Sequence, residues 1–235
     1  REFGFRKGVE VIPNPLLLDV DIPERKTGDY FFYFGRLAPE KGIKQLIESW
    51  SFPKRTPRLL IAGQGPQQKE LEQIVENKGL QDKIIFLGHL QKKELFAYIR
   101  QAKAIIFPSC WQENYPYGVL EAGYLKKILV CANIGGISDM IIDKETGFLY
   151  PPADIEKLKT ILGKIDPQAE QLEERLGENI SARINKENHP DNYYKNLLTI
   201  YKKLIQNIKK EGGENPAYSK AYAYSRYRKK LLEIA

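Results

Sequence analysis

Six short apolar runs, none long enough for an ordinary helix, constrain this chain more than any other feature. They are Tyr30–Phe34 (YFFYF), Arg58–Ala62 (RLLIA), Lys83–Leu87 (KIIFL), Ala104–Phe107 (AIIF), Ile128–Cys131 (ILVC) and Gly147–Tyr150 (GFLY). Most are closed by glycine or proline, and their continuous apolar character is that of strands buried on both faces. Between them the period changes to that of helices. Lys41–Trp50 repeats through Ile43, Leu46, Ile47 and Trp50, and Pro66 suits the first turn of a helix reaching about Asn77. Leu95, Phe96 and Ile99 mark another helix, Gly118–Lys126 the next, and Gly135-Gly136 opens a short one ending at Ile141. Strands alternating with helices predict an α/β fold: a Rossmann-like parallel six-stranded sheet covered by helices on both faces.

Val9–Pro13 reads as a further short strand ended by proline. After the last sheet strand the pattern is helical, at about 153–163, 168–186 and 190–209, and these are extra C-terminal helices. Residues 211–216 (EGGENP) read as a linker and Tyr218–Ala235 as a basic, tyrosine-rich helix. The expected organisation is therefore one domain over 1–209, with linker and helix over 210–235.

A chain of 235 residues can bury a core without disulfides. Cys110 and Cys131 are expected to be buried free thiols, which points to a reducing cytoplasm. No signal peptide or membrane span is visible. The net charge of +7 favours anionic partners. It concentrates late in the chain, at Lys202-Lys203, Lys209-Lys210 and Arg226 to Lys230, as solvated helix faces or a surface for a membrane or partner. Nucleic acid is not an expected partner, because no recognition-helix or zinc motif accompanies these groups. Two histidines and two cysteines at unrelated spacings provide no metal site.

Ligands of an open parallel sheet sit beyond the carboxyl ends of its strands. At the first such end, Gly35 is followed by Arg36 and Lys41 just before a helix. They read either as an anion cradle or as a solvated loop. At the second, Gly63-Gln64-Gly65-Pro66 fails the dinucleotide fingerprint because Gln68 stands where glycine is required. The glycines, Gly65 included, instead let backbone approach a ligand or a cleft. His89 and Leu90 follow the third strand, and His89 can donate to a phosphate or base or lie idle on the surface. Glu113 and Glu121 then bracket the segment ENYPYGVLEA, eight positions apart. A carboxylate can accept from both hydroxyls of a vicinal diol, and the amides of Gly118, Val119 and Leu120 would face an anion at a helix start. A helix-start charge and a solvated position are the plainer reading of the two glutamates.

Taken together the motifs resemble the C-terminal, donor-binding domain of GT-B retaining glycosyltransferases of the family-4-like group (glycosyl transferases group 1). The stretches are VIPN at 11–14, FGRLAPEKGI at 34–43, LLIAGQGP at 59–66, IIFLGHL at 84–90, ENYPYGVLEA at 113–122, IGG at 134–136 and GFLYPPAD at 147–154. They occur in family order, and NHPDNYYKNLLTIYKKLI looks like the family's crossover segment. The resemblance implies transfer of a hexose-type sugar from an NDP-sugar, UDP or GDP being the expected nucleotides, with retention and without metal or other cofactor. By position, Arg36 and Lys41 would meet the diphosphate, and Glu113 the hydroxyls of the transferred sugar. Glu121 would hold the ribose diol, Gly118–Leu120 with Gly35, Gly65 and Tyr117 would line the donor, and His89-Leu90 would lie near the base. Arg36, Lys41 and Glu113 are the catalytic candidates.

Three departures mark a divergent member. Lys126-Lys127 replace a tight small-residue turn, Asp139 stands where glutamate usually follows the double glycine, and Pro15 replaces the glycine after VIPN. No second set of strand–helix units precedes residue 9. The acceptor-binding N-terminal domain is thus expected outside this chain, and the chain alone is expected to turn over little. The expected acceptor is a glycan or lipid-linked saccharide of polysaccharide or glycolipid synthesis, in the cytoplasm or at the inner face of the membrane. A non-catalytic nucleotide-sugar-binding or scaffolding domain is the alternative.

Overall fold

The structure, a computed structural model, describes residues 10–18, 28–48, 50–52 and 57–210. Six strands form one sheet: β1 (Tyr30–Phe34), β2 (Arg58–Ala62), β3 (Ile84–Gly88), β4 (Ala104–Phe107), β5 (Leu129–Ala132) and β6 (Phe148–Tyr150). All pairings are parallel and the order is β3-β2-β1-β4-β5-β6. This is the doubly wound order, whose direction reverses between β1 and β4 and opens a crevice there. The expected fold class is the one observed.

The helices are α1 (Ile43–Glu48), α2 (Gln68–Asn77), α3 (Lys92–Gln101), α4 (Tyr117–Tyr124), α5 (Ile137–Met140), α6 (Ile155–Ile165), α7 (Ala169–Leu172), α8 (Glu178–Glu187) and α9 (Pro190–Lys210). Alternate strand residues feed two separate cores, as period-two geometry requires. Phe31, Tyr33, Leu59, Ile61, Ala104 and Ile106 pack with α1, α2 and α6 on one face. Phe32, Phe34, Leu60, Ile105 and Phe107 pack with α3, α4 and α8 on the other.

Several expected boundaries move. Glu10–Pro13 belong to no strand, and Val9 lies outside the described residues. The helix expected from Lys41 begins as a 3-10 turn at Pro39–Lys41, which Gly42 ends in the left-handed conformation before α1 starts at Ile43. The single helix expected at 168–186 is α7 and α8 joined through a π-helical stretch, Glu173–Gly177. The linker and helix expected over 211–235 lie outside the described residues.

The two lysines that depart from the family pattern have structural partners. Lys126 ends α4 with φ 61° and pairs with Glu178 at 2.8 Å. Lys127 is buried, its Nζ 2.6 Å from Glu173 Oε2, and it also donates to the Arg100 carbonyl. Of the cysteines, Cys131 is buried in β5, but Cys110 is exposed, contrary to expectation. It lies beyond the end of β4 in the following loop, where its Sγ donates to the carbonyl oxygens of Pro39 and Glu40.

By compactness the chain divides into Pro13–His189, which holds the sheet, and a second unit made of the residues before Pro13 and from Pro190 on. In the second unit the described parts are Glu10–Ile12 and α9, joined by a Lys203–Glu10 ion pair of 3.0 Å. Tyr194, Tyr201 and Leu204 of α9 are exposed.

Candidate functional site

The loops after β1 and β4 flank the crevice, and the polar groups picked out from the motifs meet there. Lys41 leaves the 3-10 turn after β1, and Glu113 sits in the loop after β4. Lys41 Nζ donates to Glu113 Oε1 at 2.6 Å, both side chains being about four-fifths buried or slightly less, with 26% and 17% exposure. Ser109, buried at the end of β4, donates to the same oxygen at 2.9 Å. Oε2 takes neither bond. Arg36 is more exposed and pairs with Glu40 one turn on. A hydrogen bond from Glu40's own backbone, and then the bond from Arg36, hold the Glu40 carboxyl below its ordinary range.

A cavity of about 490 Å3 brings together Gly35, Arg36, Lys41, Glu113, Tyr117, Gly118 and Glu121. Burial raises the Glu121 carboxyl above its ordinary value, and the Lys92 ammonium offsets part of this. An adjoining cavity of about 330 Å3 shares Gly35 and Arg36 and is lined beyond them by Gly63, Gln64, His89 and Leu90. Gly65 lies elsewhere, against the backbone of Leu37, whose carbonyl oxygen would be 2.2 Å from any Cβ placed there. Val119 and Leu120 are buried by their side chains, so only their backbone is available to a ligand. The Val119 amide already donates to the Pro116 carbonyl at 3.1 Å.

The Glu113 loop is held by backbone approach and by a staple. Gly136 donates to the Glu113 carbonyl at 2.6 Å, and a Cβ on Gly136 would stand 1.6 Å from the Asn114 oxygen, so only glycine fits. Asn188 Nδ2 donates to the Tyr115 hydroxyl at 3.0 Å and to the Asn14 carbonyl at 2.7 Å, while Asn14 Nδ2 donates to the Tyr115 carbonyl at 3.3 Å. Ser109 and Asn188 were not singled out from sequence. Ser109, four positions before Glu113, is the one whose spacing carried a signal. Asn188 is distant along the chain and carried none.

Among the described residues, no group of three or more His, Cys, Asp or Glu is arranged to hold a metal ion. No described helix is long and apolar enough to cross a membrane.

A parallel sheet in this order, with cationic and acidic side chains converging at its reversal, is the architecture of a Rossmann-like α/β domain of the GT-B type. The chain belongs to the glycosyl transferases group 1 family, whose sequence profile matches residues 18–183. It is similar to the uncharacterized glycosyltransferase YqgM of Bacillus subtilis, 24% identical over 209 residues that cover 86% of this chain and 57% of the relative. The crystal structure of HepE from Anabaena in complex with UDP-glucose shares the fold, with a TM-score of 0.67 at 21% identity over 74% of this chain and 48% of that one. So does the C-terminal domain of the group 1 family protein LpcC from Francisella tularensis, with a TM-score of 0.61 at 22% identity over 71% of this chain and 89% of that domain. The chain spans about half the length of the curated relatives it matches, or less.

Proposed function

We propose that this chain binds an NDP-sugar in the crevice between β1 and β4 and supplies the donor half of a retaining glycosyl transfer. The observation that carries this is the convergence of Arg36, Lys41, Glu113 and Glu121 on one cavity, beside a second that shares Gly35 and Arg36 with it and is lined by His89. In this reading the inner cavity takes the base, and Glu121 accepts from the ribose diol. Arg36 and Lys41 lie against the diphosphate. Glu113 Oε2 accepts from a hydroxyl of the sugar, while Oε1 stays fixed by Lys41 and Ser109.

Chemically the site suits departure of a nucleoside diphosphate. As the bond from the anomeric carbon to the phosphate oxygen lengthens, negative charge grows on the leaving group and positive charge on the sugar ring. Cations already in place at the first and a carboxylate near the second stabilise that separation more than they stabilise the bound substrate. No metal is assigned to the site. The donor UDP-glucose of the HepE complex makes UDP-sugars the first class to try. The acceptor is read as a glycan or lipid-linked saccharide, met by a partner domain outside this chain, on the cytoplasmic side of a membrane; nucleic acid is not a partner.

Calorimetric titration with UDP-, GDP- and ADP-sugars, beside Arg36→Ala and Glu121→Ala chains, tests it. One nucleotide class should bind saturably, and each substitution should weaken it about tenfold, the loss of a charge-assisted hydrogen bond. A folded chain that binds none of the donors sinks the reading and leaves the scaffolding alternative.

A further inference from the structure

A third cavity, about 620 Å3, adjoins the 490 Å3 one, with which it shares Lys41, Glu113 and Tyr117, and is lined beyond them by Trp111, Gln112 and Asn114 among others. Nothing assigned to the nucleotide occupies it apart from the groups shared with the middle cavity. Trp111 is 67% exposed and Tyr117 51% exposed, although they flank a loop held tightly by Gly136, Asn14 and Asn188. Single exposed hydrophobic residues are ordinary on protein surfaces. Here an indole and a phenol line one concavity, beside the amides of Gln112 and Asn114 and the carboxylates of Glu40 and Glu113. A pyranose has matching chemistry: an apolar C–H face for an aromatic ring and a rim of hydroxyls that donate to carboxylates and exchange bonds with amides.

We propose that this outer cavity is a saccharide subsite for the acceptor, with Trp111 as the platform on which one of its pyranose rings stacks. The assignment rests on the donor reading above. If the nucleotide and its sugar fill the inner cavities, a saccharide on Trp111 abuts the sugar end of the donor across the Lys41–Glu113 pair, where an attacking hydroxyl is needed. Occupancy by the donor's own hexose is the other source of the same chemistry, and the test separates the two.

The chain has only two tryptophans, and Trp50 is 2% exposed. In the 15N-labelled chain, Trp111→Phe assigns the two indole N–H resonances. Titrations use the methyl glycosides of glucose, galactose, mannose and N-acetylglucosamine with saturating UDP, and UDP-glucose alone. The expected result is a saturable shift of the Trp111 resonance with at least one glycoside, the Trp50 resonance staying in place. Trp111→Ala should lower the saturation-transfer signal of that glycoside about fivefold or more, the loss of one aromatic stacking partner, while a UDP titration reports that the variant remains folded. No shift with any glycoside, while UDP binds, overturns the subsite and leaves the donor reading intact. A shift with UDP-glucose but with no glycoside assigns the platform to the donor's hexose and overturns the acceptor assignment. Glycoside binding by a chain that does not bind UDP removes the donor reading, and the acceptor assignment with it.

Discussion

Glu113 and Glu121 lie on the same cavity but in different electrostatic settings. Glu113 is fixed by an ammonium and a hydroxyl, whereas Glu121 is half-buried and its carboxyl is raised above its ordinary 4.5. For Glu121 the sign follows from linkage. Below the ordinary value both folded and unfolded chains hold the proton, and the group costs the fold nothing. As pH rises through that value and then the folded one, the unfolded chain ionises first and the fold loses stability. Glu121→Gln should therefore melt above the parent near pH 7 and at the same temperature below about pH 4. The same variant should bind UDP-glucose less tightly, because an amide can accept only with its single oxygen. Melting curves across that pH range decide the point, and equal melting at every pH would show that burial of this carboxylate has no energetic consequence.

At the scale of elements, the motifs marked residues that line the crevice better than residues that support it. β1, β2 and β4 run over the residues that the apolar runs mark, because continuous burial on two faces leaves little freedom in where such a strand lies. Helix starts shifted where local backbone chemistry intervened: Gly42 separates the 3-10 turn from α1, and α2 begins two residues after Pro66. Arg36, Lys41 and Glu113 were legible as lining residues because each stands in a loop or turn beyond a strand's carboxyl end, and Glu121 because it lies eight positions after Glu113 on the helix that follows. The Asn188 staple was not, since no local pattern links a helix end to a loop more than seventy positions away. The same is true of Lys127, which the sequence marked only as a departure from a tight small-residue turn. It is 1% exposed and its partner Glu173 comes from the π-helical stretch before α8. Removing one member of a buried pair takes the counter-charge from the other, so Lys127→Met and Glu173→Leu should each lose about 3–5 kcal/mol, with the double variant recovering most of it. Urea denaturation of all four chains measures the coupling, and additive losses would show that the two side chains act independently.

For the whole molecule, the division at Pro13 and Pro190 places every residue of the three cavities in the sheet-bearing unit. A fragment of residues 13–189 should unfold in one cooperative step and bind UDP within about threefold of the full chain, as expected for a domain with its own core. Calorimetry and thermal unfolding of the fragment check this; a fragment that folds but no longer binds UDP would mean that the segments outside 13–189 shape the pocket. The sheet order has a further, kinetic consequence. The junction of β1 with β4 pairs Phe31 with Ala104, so two halves of the sheet that can each assemble from nearer neighbours must join across about seventy intervening residues. Gly35 and Arg36 stand on one side of that seam and Glu113 and Glu121 on the other. The pocket has no existence in either half alone, and a ligand that bridged both sides would act as a clasp on the seam, retarding its opening and so lengthening the life of the folded state more than it hastened folding.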